Sequence, residues 1–374
     1  MMDTDSLLQY QIGVTLIKGI GPNLAKNLIA YIGSVEGVFK ERKQNLAKIP
    51  GIGEVLSHEI VSQNVMQRAE KEVEFIRKNG IQTMFYTEKS YPYRLKECAD
   101  APVLLYFKGD HNLNTSKFIA VVGTRKATEV GKEICKSIIQ DIASSQPNAT
   151  IVSGLAYGVD ICAHKAAIDF NMATIGVLGH GLDRIYPAIH RPAAVKMVQH
   201  GGLLTEYMSE TNPDRQNFVQ RNRIIAGLCD ALIVIESGRS GGALITAELA
   251  NDYNRDVFAV PGRVTDEWSA GCNKLIRENK ASLIESAEDF LRFMSWESTD
   301  KPIESAAQTS LFTDLSEAEE KIIMRIRQNT DGIHVNELGI QLNMPFNRLS
   351  SQLLEMEFKG LVKCLPGGMY RVTK

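Results

Sequence analysis

The stretch Ser153-Gly154-Leu155-Ala156-Tyr157-Gly158-Val159-Asp160 decides the fold of this chain. It follows a short β-like run, Thr150–Val152, and leads into residues 161–170, which we expect to form a helix. Glycines between a strand and a helix let backbone N–H groups approach a ligand with no Cβ atom in the way. The start of the helix adds unpaired N–H donors and a partial positive charge. The stretch is therefore suited to hold an anion.

Similar glycine-marked turns recur along the chain, at Gly123, Gly179–Gly181, Gly238–Gly242 and Gly262. Short apolar strands alternate with helices of about 10–15 residues between these turns, which predicts βαβ units and a parallel sheet covered on both faces. The carboxyl ends of the strands, where the turns fall, are where open α/β folds bind ligands. We expect strands at 118–122, 150–153, 174–178, 203–205, 231–235 and 256–260, and helices at 129–143, 160–170, 192–199, 219–228 and 243–253.

Composition is that of an ordinary globular protein, and 374 residues predict two or three domains. No apolar run approaches the roughly 20 residues of a membrane span. The acidic start lacks the pattern of a secretory signal, and the six cysteines form no CxxC pair. We therefore expect a cytoplasmic protein with reduced cysteines and no membrane partner. The net charge of −2 argues against coating nucleic acid by bulk charge, but it permits a local basic groove.

Residues 1–70 are predicted to form a helical domain with two matching turns, Ile17–Ala25 and Ile49–Leu56. Each turn resembles a helix-hairpin-helix, whose Gly-x-Gly segment offers backbone N–H groups to a DNA phosphate. Acidic and basic residues balance in this region, so a role in packing or protein contact stays equally open.

The C-terminal part is predicted to be a separate module. Residues 296–314 are poor in apolar side chains and read as a linker between the sheet domain, 71–295, and a domain at 315–374. Ser316 and Glu319 form a capping-box pattern before the first of three helices, which a hairpin follows. This order resembles a winged helix, with DNA binding and protein contact both open as its role.

Two arginine-containing segments suggest a nucleic-acid site. Gly123-Thr124-Arg125 ends the first parallel strand and combines close backbone approach, a hydroxyl donor and a guanidinium that matches phosphate geometry. The segment 217–223 opens a helix and offers phosphate contacts and a stacking ring, the parts of a single-strand site, in Phe218, Arg221, Asn222 and Arg223. Arg221 and Arg223 cannot face the same way on a helix, so one of them is a candidate for a structural role.

A third segment, Glu236–Thr246, again joins a strand to a helix through glycines. It predicts a second anion seat from Ser240, Gly241, Gly242 and Thr246. The chain contains neither a GxGxxG fingerprint nor a P-loop, so we expect no bound NAD or ATP and no other cofactor. No grouping of His, Cys and carboxylates has metal-ligand spacing, so no metal is expected.

The candidates for catalysis are five titratable residues: Asp160, His164, Asp183, Glu206 and Glu248. Asp160 and His164 are four residues apart on one predicted helix face and could pair. We favour a structural contact for this pair, and we predict no catalytic residue.

Taken together, these motifs resemble the bacterial DNA-processing protein A family (DprA, also called Smf). The stretches that carry the resemblance span the sheet domain: Val122–Arg125, Ser153–Asp160, Val177–Asp183 with Tyr186-Pro187, Phe218–Gly227, Ser240–Thr246, and Pro261-Gly262 with Ser269–Asn273. Ala188 stands where some members carry a basic residue. The resemblance implies an extended Rossmann-like domain that binds single-stranded DNA, forms a homodimer and hands the strand to the RecA recombinase during natural transformation.

The resemblance also implies roles for particular residues. Arg125, with Gly123 and Thr124, is expected to be the main phosphate clamp. Ser153, Gly154 and Gly158 would form the neighbouring seat, and Phe218, Arg221, Asn222 and Arg223 the second wall. An alternative is an enzyme, because Gly241-Gly242 with Thr246 and Glu248 resembles the Gly-Gly-x-Gly-Thr-x-x-Glu run of nucleotide phosphoribohydrolases, although Ile245 stands in place of the glycine before its Thr. A third possibility is an assembly adaptor that binds no strand.

Overall fold

The computed structural model describes residues 4–115, 117–297, 316–327, 332–359, 361–365 and 368–372. The chain divides into two compact units, Met1–Ser298 and Thr299–Lys374. Apart from Trp296 and Glu297, the predicted linker 296–314 lies outside the described residues.

A nine-stranded sheet organises the first unit. Its strands are β1 (Gln82–Phe85), β2 (Leu104–Gly109), β3 (Phe118–Val122), β4 (Thr150–Ser153), β5 (Ala173–Val177), β6 (Gly201–Thr205), β7 (Ala231–Val234), β8 (Asp256–Ala259) and β9 (Ser282–Leu283). They lie in the order β1-β2-β6-β5-β4-β3-β7-β8-β9. All pairs from β6 to β9 are parallel, and β1 and β2 add an antiparallel edge. The predicted parallel sheet is confirmed.

The helices of this unit are α1 (Thr4–Leu16), α2 (Pro22–Ile32), α3 (Val35–Lys40), α4 (Lys43–Leu46), α5 (Gly53–Ser62), α6 (Met66–Asn79), α7 (Tyr93–Lys96), α8 (Glu129–Ser145), α9 (Val159–Asp169), α10 (Arg191–Gln199), α11 (Arg215–Leu228), α12 (Gly242–Asp252), α13 (Ala270–Arg277) and α14 (Ala287–Phe293). Short 3-10 turns precede α10 and α13, at Ala188–His190 and Glu267–Ser269. Among the described residues, none of the helices combines the length and the apolar character that crossing a bilayer demands.

Both faces of the parallel sheet are buried, as the continuous apolar strands predict. In β3, Ala120 and Val122 pack into the core on one face, and Ile119 and Val121 pack into the core on the other. Each fully buried aliphatic side chain contributes about 1.5–3 kcal/mol by leaving water. The two cores hold the strand ends, and therefore the loops that follow them, in fixed positions.

The N-terminal helices α1–α6 form the predicted helix-hairpin-helix tandem. The two hairpins pack against each other, since Leu56 of the second covers Gly19 of the first and Leu24 covers Gly51. Both glycines have a positive φ, which a residue with a Cβ atom rarely adopts. The tandem is therefore one unit rather than two separate hairpins.

This tandem shares its core with the sheet. Leu104 and Tyr106 of β2 belong to the same apolar cluster as the side chains of α1–α6. The Glu72 carboxylate on α6 accepts from Ser209 N at 2.9 Å and from Arg68 Nη1 at 2.9 Å, and Arg68 also donates to Ser209 O at 2.6 Å. Residue 70, where we predicted a domain boundary, lies inside α6.

The second unit contains α15 (Glu317–Arg327), β10 (Ile333–His334), α16 (Val335–Leu342), α17 (Phe346–Phe358), β11 (Val362–Leu365) and β12 (Met369–Val372). Its strands lie in the order β10-β12-β11. Three helices beside this small sheet form the predicted winged helix. The capping box is also present, since Ser316 N donates to Glu319 Oε2 at 2.8 Å and Glu319 N donates to Ser316 Oγ at 3.3 Å.

Candidate functional site

A cleft of about 530 Å³ opens beyond the carboxyl ends of β3 and β7. These strands are neighbours, and the chain builds the sheet outward from β3 in one direction and from β7 in the other. The cleft therefore occupies the topological switch point, where open α/β sheets bind ligands. It is lined by the turn after β3, one face of α11, the loop from β7 into α12, and Trp268.

The turn after β3 presents Arg125 to the cleft. Glu236 positions this turn, because its carboxylate accepts from Thr128 N at 2.9 Å and from Thr128 Oγ1 at 2.5 Å, and its backbone oxygen accepts from Thr124 N at 2.8 Å. The Arg125 side chain is exposed, and its guanidinium carbon lies 5.7 Å from the centroid of the Phe218 ring. Among the described residues, no carboxylate forms an ion pair with Arg125.

Helix α11 turns one face to the cleft. Arg215, Phe218, Asn222 and Ile225 recur at helical spacing along that face. Asn222 Nδ2 donates to Gly242 O at 3.4 Å and so ties α11 to the start of α12. A ring and charged groups therefore line one wall of the cleft.

Arg221 lies deeper in the same wall. It is 3 % exposed, and its Nε and Nη1 atoms are buried with no hydrogen-bond partner among the described residues. Burial, with a smaller effect of the nearby Arg125, lowers the pKa of the guanidinium to about 10 against the attraction of Asp160. Arg221 therefore remains a cation at neutral pH with unused donors, an arrangement that favours an anionic ligand.

The loop Ser153–Asp160, predicted to seat an external anion, is filled by the protein's own carboxylate. Asp160 Oδ2 accepts from Gly154 N at 3.1 Å and from Ala156 N at 3.4 Å, and burial raises the pKa of this carboxyl. Leu155 N donates to His164 Nε2 at 3.3 Å. The N–H groups of Gly154, Leu155 and Ala156 are thus satisfied internally, which corrects our expectation of a free seat.

The three residues expected in that seat have other roles. Ser153 is fully buried and donates to Val121 O at 2.6 Å, so its hydroxyl cannot reach a ligand. Gly154 leaves room for the Arg221 guanidinium, and Gly158, with a φ of 77°, leaves room for the backbone at Thr124 and Arg125. They support the cleft from below rather than line it.

Arg223 points away from the cleft, on the opposite side of α11 from Arg221. Its Nη2 atom pairs with Glu206 Oε2 at 2.5 Å, and both side chains are largely buried. Of the two arginines, Arg223 therefore has the structural role, and we no longer place it in the second wall.

The loop before α12 and the first turns of that helix line the cleft with all four predicted residues, Ser240, Gly241, Gly242 and Thr246. The Thr246 hydroxyl donates to Gly242 O at 2.8 Å, so it stabilises the helix start. Gly241 caps α12 without a side-chain hydrogen bond. The exposed Ser240 and the first N–H groups of α12 remain as donors on this side.

Each of the five candidate catalytic residues has a protein partner. Asp160 and His164 do not bind each other, since both accept hydrogen bonds from the backbone of the loop that precedes them, and burial lowers the pKa of His164 to about 3. Asp183 pairs with Arg184, Glu206 with Arg223, and the exposed Glu248 with Lys280 at 3.3 Å. Glu248 does not line the cleft, so the geometry does not reproduce the phosphoribohydrolase arrangement. Within the described ranges, no cluster of His, Cys and carboxylates could hold a metal ion.

Three residues that matter for the cleft are absent from our sequence-based set. Arg215 lines it from the first turn of α11. Trp268 lines it from the loop after β8, and Glu236 positions the Arg125 turn from the end of β7. The only sequence signal for Trp268 is an aromatic residue just before the Ser269–Asn273 motif.

The fold and the cleft define a class of α/β proteins with a cationic, ring-lined cleft at the switch point of a mostly parallel sheet, and comparison with known proteins identifies the family. The chain belongs to the DNA recombination-mediator protein A family, whose model matches residues 82–295. Residues 13–63 match a SAM-like helix-hairpin-helix tandem, and residues 306–368 match the DprA winged helix domain.

Individual relatives agree with this assignment. Protein Smf of Synechocystis sp. is 36% identical over 286 residues, which cover 75% of this chain and 71% of the relative. The structure of DNA processing protein A from Streptococcus pneumoniae superposes with a TM-score of 0.67 at 34% identity, covering 78% of this chain and 98% of that one. DNA processing protein A from Helicobacter pylori, whose structure was described for its single-stranded DNA binding mode, superposes with a TM-score of 0.52 at 29% identity, covering 57% and 95%.

Proposed function

We propose that this chain binds single-stranded DNA in the cleft, with Arg125 and Arg221 on phosphates and Phe218 beneath a base. The observation that carries the proposal is that arginines without a carboxylate partner among the described residues line the cleft beside an aromatic ring. Three arginines line the cleft, at 125, 215 and 221, whereas Asp160 is its one carboxylate and is engaged by backbone N–H groups. Phe218 and Trp268 supply ring faces beside them.

The same arrangement favours a single strand over a duplex. A single strand exposes base faces as well as phosphates, and stacking on an aromatic side chain contributes about 1–3 kcal/mol per base. A duplex hides those faces. The overall charge of −2 gives a duplex no compensating attraction to the rest of the protein.

We further propose that the protein acts as a homodimer and loads the RecA recombinase on the bound strand. Membership of a recombination-mediator family supports the RecA step. For the dimer, Leu283 on the edge strand β9 and Phe293 on α14 are exposed apolar side chains on one edge of the sheet domain. Pairing two clefts would raise avidity for a strand without new contacts. Sedimentation or light scattering at micromolar concentration should show a dimer. Assays of RecA filament formation on a single strand should show faster assembly when this protein is present than when it is absent.

The decisive experiment compares two substitutions in the cleft. Arg125→Ala should weaken binding of a fluorescent oligonucleotide at least tenfold and should reduce the salt dependence by about one phosphate contact. Phe218→Ala should weaken binding while leaving the salt dependence nearly unchanged, because it removes stacking and no charge.

The matched control is Arg292→Ala, which removes an exposed arginine that pairs with Asp289 outside the cleft. It should bind like the wild type. If Arg125→Ala also binds like the wild type at about 0.1 M salt, where the Debye length is about 10 Å, the strand does not use this cleft.

A further inference from the structure

Two tyrosines extend the aromatic surface of the cleft beyond its rim. Tyr186, in the loop after β5, and Tyr157, in the loop after β4, are each 48 % exposed. The Tyr186 ring lies 5.7 Å from the Phe218 ring between centroids, at an angle of 34°. Tyr157 follows Ala156, which lines the cleft. The tyrosines therefore continue the surface that Phe218 begins, along the carboxyl ends of the strands.

Both tyrosines are held in place by buried groups. The Tyr157 ring packs edge-on against His190 at 5.0 Å between centroids, and His190 Nδ1 donates to Leu155 O at 2.8 Å. Tyr186 N donates to the buried His180 Nε2 at 3.3 Å, while His180 Nδ1 donates to Gly181 O at 2.9 Å. A tyrosine whose ring or backbone is held in this way loses less freedom when a base stacks on it.

A cation accompanies the rings. Arg191 follows His190 directly, is exposed, and has no ion-pair partner among the residues that the structure describes. It is the first residue of α10, where the positive end of the helix dipole makes an arginine unfavourable unless an anion is near. A single exposed tyrosine is ordinary on a protein surface. Here two exposed tyrosines lie beside a cationic cleft together with an arginine that has no ion-pair partner among the described residues. This grouping suits the bases and a phosphate of a single strand.

We propose that Tyr186, Tyr157 and Arg191 form a second segment of the single-strand path, which we call the tyrosine ledge. The strand leaves the cleft at Phe218 and crosses the loops after β5 and β4, with bases stacked on the two tyrosines and a phosphate on Arg191. This inference rests on the proposed function of the cleft and extends it. It makes the cleft the site for the first few nucleotides and the ledge the site for the nucleotides that follow.

The test uses the full chain and oligothymidylates of two lengths, about 4 and about 16 nucleotides, which bracket the site sizes of single-strand binding modules. Tyr157→Ala and Tyr186→Ala should each weaken binding of the longer strand about tenfold and should hardly change binding of the shorter one. Tyr157→Phe and Tyr186→Phe keep a stacking face and should bind like the wild type. Arg191→Ala should reduce the salt dependence for the longer strand by about one phosphate contact.

Tyr31→Ala is the matched control, because Tyr31 is an exposed tyrosine on α2 at a distance along the chain from these loops. A 2-aminopurine base placed at successive positions of the longer strand gives a second readout. Its fluorescence should be quenched at the positions that meet the ledge, and the quenching should disappear in the alanine variants.

The outcomes separate the two proposals. Longer strands that bind the Tyr157→Ala and Tyr186→Ala variants as tightly as the wild type would overturn the ledge, while a tenfold loss in Arg125→Ala would still support the cleft. Equal losses for both lengths in the tyrosine variants would place these rings inside the first segment and would also overturn the ledge. A wild-type protein that binds neither length would overturn both.

Discussion

The guanidinium of Arg221 lies against the backbone of Gly154, in the space that a Cβ atom at residue 154 would occupy. Gly154 is therefore needed to make room for the Arg221 side chain of α11, and not to let the backbone approach a ligand. Through this contact the end of β4 sets the depth at which Arg221 enters the cleft.

Gly154→Ala should consequently displace Arg221. We expect the free energy of unfolding to fall by about 1–3 kcal/mol, as is typical when a close-packed site receives an extra methyl group. Single-strand affinity should fall at least tenfold. Urea unfolding and fluorescence anisotropy measure the two effects. Gly21→Ala is the control, because no heavy atom lies within 4 Å of its Cβ position; since Gly21 is the N-cap of α2, where alanine is a poorer cap than glycine, we expect a loss of at most about 1 kcal/mol. Wild-type affinity in Gly154→Ala would show that Arg221 is not a ligand-binding group.

Glu236→Ala tests whether the Arg125 turn must be held in place. Removing a carboxylate near a cationic cleft would strengthen anion binding if charge alone mattered. Because Glu236 holds Thr128 through two hydrogen bonds, we expect the opposite, a loss of affinity of about fivefold or more. Glu248→Ala removes the same charge from an exposed site outside the cleft and should bind at least as tightly as the wild type. Tighter binding by Glu236→Ala would contradict a positioning role.

The buried His164 should make the protein sensitive to mild acid. Burial lowers its pKa to about 3 from 6.5, so between these values the unfolded chain binds a proton that the folded chain does not. The free energy of unfolding should therefore decrease as the pH falls below about 6.5, by about 1.4 kcal/mol for each pH unit from this group. His164→Gln should lose this part of the pH dependence in urea titrations at pH 7 and pH 5. A variant whose pH dependence equals that of the wild type would rule His164 out as its source.

The winged-helix unit should contribute little to the affinity of the cleft. The first compact unit ends at Ser298, and every residue that lines the cleft belongs to it. A chain that ends at about Ser298 should bind a single strand within tenfold of the full chain, or about 1.4 kcal/mol. A loss of a hundredfold in the same anisotropy assay would show that the C-terminal unit belongs to the DNA site.

The sequence predicted the sheet and the convergence of the Arg125, Phe218 and Gly241 segments, because strand–helix alternation places all such loops at one edge of a parallel sheet. It also showed that Arg221 and Arg223 face different ways. It could not show which one enters the cleft, since that depends on Glu206, which directly follows β6 and is brought against Arg223 by the packing of α11 on the sheet.

The anion seat in Ser153–Asp160 shows a different limit. A glycine-marked turn before a helix has the same pattern whether its N–H groups bind an external phosphate or a carboxylate of the chain. Here Asp160, six residues after Gly154, is the ligand. Trp268 and Glu236 escaped prediction because each acts across the sheet, from loops whose proximity only the strand order determines.

The bonds between Glu72, Arg68 and Ser209 have a consequence for how this protein can be dissected or recombined with its relatives. A recombinant fragment that starts at residue 82, where the family match begins, would contain every residue of the cleft. It would nevertheless lack α6, uncover the apolar face of Leu104 and Tyr106, and leave Ser209 without its carboxylate shortly before α11 begins. Exchange of the N-terminal segment between homologues should therefore give a stable protein only when Ser209 and its acidic partner are taken from the same homologue. This contact limits which N-terminal and sheet domains can be combined.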